Sequence, residues 1–368
     1  MVGRASLPGH LIEELRKLPI KLSSIPVLVH FIAAQDKPAH PTFARFSGVG
    51  NRKHMVPGRH SPGWSSLMKL QHWILLICLG AIWGGSFIFA KVAVAEIPAL
   101  TLVFFRVASA CLALWLVLWA QGTLEQFPLK MAASFLAMGL LNNVIPFSLL
   151  FAGQTVIGAG LASILNATTP VFTVLVAGVL FRQETLGIHK IAGIALGIAG
   201  VATMLSGSLS GIVSDPLWAQ AACLGAALSY AFAATFAKRF KGLPPLISAT
   251  GQLSGSTLIM APIALFASRS WSVADPSVIA WLNVLALGIF ATALAYLMYF
   301  RLLAEAGATN ASLVTLLVPA SALFFGWLLL GEELSAIQLA GFALLLSGLV
   351  VLDGRLFARF KPVSTSAK

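Results

Sequence analysis

Ten stretches of this chain are each long enough, and apolar enough, to cross a lipid bilayer. They cover about 73–91, 99–120, 131–152, 159–181, 190–206, 217–237, 246–267, 278–300, 311–330 and 337–352. About 20 consecutive apolar residues span the hydrocarbon core as a helix. The runs are continuous rather than alternating and too long for barrel strands, so the expected fold is an all-α membrane protein with ten transmembrane helices. Composition agrees: 58% of residues are hydrophobic and 10% charged, where soluble domains carry about 25% charged residues. Cys78, Cys111 and Cys223 each stand alone inside a span, which offers neither a disulfide framework nor metal-ligand spacing.

Charge then orients the spans, because Lys and Arg gather in cytoplasmic loops. With the first span entering from inside, the inner loops hold Lys130, Arg182, Lys190, Lys238, Arg239, Lys241 and Arg301. The C-terminal tail, 353–368, adds Arg355, Arg359, Lys361 and Lys368, while the outer side holds Lys91 and Arg269. Eleven against two, leaving aside Arg106 within a span and the leading segment, predicts both termini in the cytoplasm and the chain in a bacterial inner membrane. The net charge of +12 is mostly this topology signal. No basic patch with interleaved aromatics lies outside the leading segment, so nucleic acid is not expected as a partner.

Residues 1–67 differ in kind. They are rich in Pro, Gly, His and Arg and keep no helical period. Two readings stand: a disordered cytoplasmic tail, or a spurious extension before a start at Met68. The segment lacks the compact basic region and apolar run of a secretory signal, and no function is expected of it.

The chain matches itself. At an offset of 149, Gly158, Ala159, Ala162, Ser163, Pro170, Leu180 and Glu184 meet Gly307, Ala308, Ala311, Ser312, Pro319, Leu329 and Glu333. Phe-Ala-Lys at 89–91 meets the same triplet at 236–238, and Gly193 and Gly200 meet Gly341 and Gly348. The chain therefore reads as two five-span repeats, 71–206 and 217–352. Five is odd, so the second enters the membrane inverted. Inverted repeats mark transporters, with the binding site near the midplane between the halves.

Pro170 and Pro319 fall at equivalent places in spans 4 and 9, and Pro146 lies inside span 3. An interior proline removes a backbone hydrogen bond at a cost of roughly 3 kcal/mol. In lipid the freed carbonyl is tolerated only against protein or a watery cavity. Ser163, Asn166, Pro170 and Thr173 share one stripe of span 4; Ser312, Thr315, Pro319 and Gly326 share one of span 9. The prolines are expected to bend spans 3, 4 and 9, either for packing alone or as hinges.

The stretches WGGSFIFAKVAVAEIPALTLVFFR (83–106), GLASILNATTPVFTVLVAGVLFRQE (160–184) and ATALAYLMYFRLLAEAGATNASLVTLLVPASALFFGWLLLGEE (291–333) resemble the drug/metabolite transporter superfamily, EamA type. The resemblance spans about 71–352. It implies two inverted five-helix halves and export of small metabolites, often amino acids or their relatives, or of toxic compounds. It also implies a central cavity lined chiefly by helices 1, 3, 4, 6, 8 and 9.

Polar side chains inside membrane helices usually face the bundle interior or a cavity. Span 3 offers Asn142, Asn143 and Phe147, with Gln154 on the stripe of the second asparagine. Span 4 offers Asn166, span 8 Thr292, Tyr296 and Tyr299, span 1 Trp83, Ser86 and Phe87, and span 6 Tyr230. Amides that donate and accept beside aromatic faces suit a small zwitterionic or aromatic solute. Each asparagine could instead be an interhelical hydrogen bond, worth about 0.6 kcal/mol in membranes. Ser163, Ser312, Gly80, Gly84, Gly193 and Gly197 read as close-packing contacts. Arg106, well inside span 2, either snorkels, pairs structurally or meets a solute carboxylate. Glu184 and Glu333, at opposite faces, are boundary charges or gate and coupling candidates.

No histidine or aspartate falls mid-span, and neither H-E-x-x-H nor a Walker-type loop occurs. A membrane-embedded enzyme or a channel is the alternative reading, and a secondary carrier working by alternating access the principal one. No cofactor or metal is expected. The expected partners are a small-molecule solute and membrane lipid, with a homodimer left open.

Overall fold

The computed structural model describes residues 69–183, 185–269 and 271–354. The leading segment 1–67, Glu184 and nearly all of the C-terminal tail lie outside the described residues. Ten helices follow in order: α1 (Leu70–Val94), α2 (Ala99–Ala120), α3 (Leu129–Gln154), α4 (Ala159–Leu180), α5 (Ile188–Leu209), α6 (Leu217–Phe240), α7 (Pro245–Ala267), α8 (Val278–Ala306), α9 (Val314–Leu330) and α10 (Ala336–Asp353). Among the described residues nine are long and apolar enough to cross a membrane, and α9 is a shorter apolar helix preceded by a helical turn, Ala308–Ala311. Their outer faces carry bare Leu258, Leu265 and Trp327, as lipid-facing surfaces should.

The packing repeats as the sequence does. α1 packs on α9 as α6 packs on α4, α3 meets α7 as α8 meets α2, and three pairs join equivalent helices, α2–α7, α4–α9 and α5–α10. With five helices in each repeat, the second runs inverted through the same bundle. Lipid tails are as apolar as leucine, so association relies on small residues that let backbones approach. Gly200 and Gly348 do this for α5 and α10. A Cβ on Gly200 would stand 2.6 Å from the Gly341 carbonyl oxygen, and one on Gly348 would stand 2.7 Å from the Gly197 nitrogen. Between α1 and α9, a Cβ on Gly84 would lie 2.8 Å from the Val318 oxygen.

Three helices change their winding. α3 opens into a π-helical turn over Leu140–Val144 and α8 over Ala286–Leu294, at matching positions in the two repeats. α4 is interrupted at Ala167–Thr168, just before Pro170, and ends in another π turn, Val176–Leu180. α9 instead runs continuously through Pro319, and its discontinuity falls earlier, at Ser312–Leu313. The Asn166 carbonyl, left without its partner by Pro170, accepts the Thr169 hydroxyl at 2.7 Å. Pro319 correspondingly frees the carbonyl of Thr315, a residue that lines the central cavity.

Candidate functional site

A cavity of about 510 Å³ lies between the two repeats. α1, α3, α4, α6, α8 and α9 supply most of its wall, and the equivalent helices α2 and α7 add one residue each, Arg106 and Gln252. The wall extends to Ala237, Phe300 and Ser312, near the bundle end that carries Leu70 and Asp353, here the terminal end. Ser312 is exposed there.

At the opposite, far end the helices are tied together. The Gln154 side chain donates to the Phe87 carbonyl at 2.8 Å. Lys91 Nζ donates to the carbonyls of Gln154 and Ile157 at 2.8 and 2.9 Å, neutralising the C-terminal end of α3. Glu332 accepts from the Ala159 and Gly160 amides at 2.7 and 2.9 Å, two donors of the first turn of α4 that have no partner within the helix. Glycine leaves room for that carboxylate: a Cβ on Gly158 or Gly326 would stand 2.9 Å from Glu332 Oε2 and push it aside. Gly331, in the left-handed region at φ +64°, ends α9. The chain then turns back so that the Glu332 amide bonds the Gly326 carbonyl at 3.1 Å.

Where the wall is polar, α3, α7 and α8 meet. The Asn142 amide donates to Gln252 Oε1 at 3.1 Å and to the Tyr296 hydroxyl at 3.2 Å. Tyr296 donates onward to Asn143 Oδ1 at 3.2 Å, and Asn143 donates to Ser256 Oγ at 2.8 Å. Beside this knot Arg106 is buried. Its Nε donates to Thr292 Oγ1 at 3.0 Å, and the Thr292 hydroxyl donates to the Leu287 carbonyl five residues back, the spacing of its π turn. The guanidinium lies 3.7 Å above the centre of the Phe147 ring. Trp83 and Tyr299 form the opposite aromatic pair, with ring centres 5.5 Å apart.

Of the sequence-derived candidates, Trp83, Phe87, Arg106, Asn142, Phe147, Asn166, Tyr230, Tyr296 and Tyr299 line the cavity, as do Pro170 and Pro319. Asn143 and Thr292 do not. Both are fully enclosed, since the π turns of α3 and α8 put the preceding residues, Asn142 and Ala291, on the cavity side. Pro146 is buried behind the wall. Arg106 does not snorkel, because its polar partner is inside the bundle. Ser163 lines the cavity rather than only packing, and its hydroxyl has no partner among the described residues. Glu333 is exposed; its neighbour Glu332, not among the sequence-derived candidates, makes the contact with the first turn of α4. Gln252 was also passed over, although an amide inside span 7 is the same signal that singled out Asn142.

The profile of the EamA-like transporter family matches residues 71–206 and again 217–352. The chain belongs to the EamA-like transporter family. It is similar to an uncharacterized transporter, YoaV, of Bacillus subtilis (strain 168), at 25% identity over 74% of this chain and 94% of the relative. It is also similar to a probable amino-acid metabolite efflux pump of Salmonella typhimurium, at 29% identity over 77% of this chain and 95% of the relative, and to Protein PagO of the same species, at 29% over 69% and 83%. A solved crystal structure shares the fold, with a TM-score of 0.56 at 18% identity over 79% of this chain and 99% of its own. This EamA-family chain is thus an integral membrane protein, and two of these relatives are named as a transporter and an efflux pump.

Proposed function

We propose that this chain is a secondary carrier that exports small metabolites, amino acids or their relatives among them, by alternating access. One observation carries the reading: a cavity between two inverted repeats, walled to the terminal end and tied shut at the far end by Gln154, Lys91 and Glu332. The positive-inside bias makes the terminal end cytoplasmic. The present conformation is then inward-open and loads solute from the cytoplasm of a bacterial cell. Exchange of the ties between the two ends would release the solute outside. The relative named as a probable amino-acid metabolite efflux pump supports the solute class and the direction.

Purified protein in liposomes tests this. A panel of amino acids and cationic dyes should include solutes whose tracer uptake saturates and is accelerated by the same solute on the opposite side. Linear, unsaturable leak would instead favour a channel, and chemical conversion of a solute an enzyme. A reporter active only outside the inner membrane, fused after Lys368, should be silent; an active fusion overturns the assignment of the terminal end.

A further inference from the structure

We propose that the solute carries a carboxylate, that Arg106 holds it, and that compounds with a net positive charge are rejected; this rests on the carrier reading and narrows it. Arg106 is 7% exposed, and the little surface it keeps lies on the cavity. Its Nε is taken by Thr292 at 3.0 Å and its flat face by Phe147 at 3.7 Å. Neither contact removes the charge. A guanidinium has five N–H donors in a planar fork, and among the described residues Nε alone has a hydrogen-bond partner. Nor does any acidic side chain of the described residues line the cavity. A charge removed from water and left without a counter-ion is costly, and intramembrane charges normally pair. The terminal N–H groups of this cavity-lining residue are left to match two carboxylate oxygens in the fork-to-fork geometry that arginine favours.

Thr292 and Phe147 fix the guanidinium plane from two sides, so the anion arrives at a preset geometry. The rest of the wall suits the body of such a solute. Trp83, Tyr299 and Phe147 give aromatic faces. The side-chain Oδ1 of Asn166 and the Ser163 hydroxyl, both buried without partners among the described residues on residues that line the cavity, are left to accept from a solute hydroxyl or ammonium. A zwitterion therefore fits as well as an anion. An amine alone would face Arg106 with no acid to offset it.

Equilibrium binding to the full-length protein in detergent tests this with three probes that share one apolar body: radiolabelled phenylacetate, phenylalanine and phenethylamine. At least one of the two carboxylates should bind at least about thirty-fold more tightly than phenethylamine, in line with loss of a charge-assisted hydrogen-bond pair. Arg106→Gln should erase that preference. Arg106→Lys, which keeps the charge and loses the fork, should keep part of it. Should Arg106→Gln fail to fold, the order of the three probes on the wild-type protein still decides. Phenethylamine binding as tightly as the carboxylates, neither carboxylate binding, or an unchanged preference in a folded Arg106→Gln protein would overturn the proposal. The carrier reading fails separately: carboxylates that bind but are not moved across liposomes would remove it and leave Arg106 as an anion site. Amine flux without carboxylate flux would do the reverse.

Discussion

At the far end the Glu332 side chain is one of the groups that join the second repeat to the first, and removing it tests whether it holds that end shut. The Glu332 carboxylate takes the Ala159 amide at 2.7 Å and the Gly160 amide at 2.9 Å. Hydrogen bonds to an ionised group contribute roughly 1.5–3 kcal/mol each, and the half-buried position of Glu332 argues for the low end. Two such bonds favour the closed far end by about 3 kcal/mol, or roughly 150-fold in the closed-to-open ratio. Glu332→Ala removes both bonds. Glu332→Gln keeps one acceptor oxygen and should lose about half that free energy. Spin labels at Thr155 and Glu333, in a background without Cys78, Cys111 and Cys223, report the separation across this end by pulsed dipolar spectroscopy. The parent should give one short distance. The alanine variant should add a longer population, and the glutamine variant a smaller one. An unchanged distance distribution with a lowered Tm would show that Glu332 only caps α4 and does not hold the far end shut.

Other perturbations separate cavity from scaffold. Asn142→Leu should weaken apparent transport affinity about ten-fold by leaving solute polar groups unpaired, whereas Asn143→Leu, which breaks enclosed bonds to Ser256 and Tyr296, should lower Tm and yield; the opposite pattern would reverse their placement. Gly200→Val forces a Cβ to within 2.6 Å of the Gly341 oxygen and should cost at least about 1–3 kcal/mol, read as a lower Tm; a neutral result would mean that α5 and α10 can separate freely. Glu96 accepts from the Ser277 amide at 2.6 Å and its hydroxyl at 2.8 Å, bonds that hold its carboxyl below the usual 4.5. A depressed folded-state pKa adds stability that is present above 4.5 and lost as pH falls through the folded value. Tm of Glu96→Gln should therefore fall less than the parent's below pH 4.5, and parallel curves would count against the link.

Much of the architecture was legible because lipid simplifies the problem. A bilayer demands long apolar helices, and inverted duplication leaves matched glycines, prolines and Phe-Ala-Lys triplets. The positions of α1 to α10 and the cavity-facing aromatics follow from those signals. The π turns did not, because one extra residue per turn leaves no mark in Leu-Leu-Asn-Asn-Val. Without them a plain helical stripe points Asn143 and Thr292 at the cavity, where the structure encloses both. The exchange of Glu333 for Glu332 has a similar origin. Matching the repeats pairs the second acid with Glu184, but which acid turns inward depends on the left-handed Gly331 between helix and loop, a local backbone choice that a Gly-Glu-Glu string does not spell out. The break before α9 and the unbroken passage through Pro319 show equivalent sequences settling differently once their neighbours differ.

Arg106, the one cation lining the cavity among the described residues, also bears on energetics. With no carboxylate among the lining residues to carry a proton in exchange, a solute that crosses as a monoanion moves one negative charge per cycle and makes a current. A membrane potential of 100 mV, negative inside, is worth about 2.3 kcal/mol per charge. That corresponds to roughly fifty-fold accumulation outside at equilibrium. For such a solute the voltage itself drives export, and collapsing it with an ionophore would leave only the concentration gradient. A zwitterion on the same site crosses electrically silent and leaves only down its own gradient. On the carrier reading proposed above, the net charge of the cargo, rather than a coupling residue in the protein, would then decide between pumping and mere equilibration.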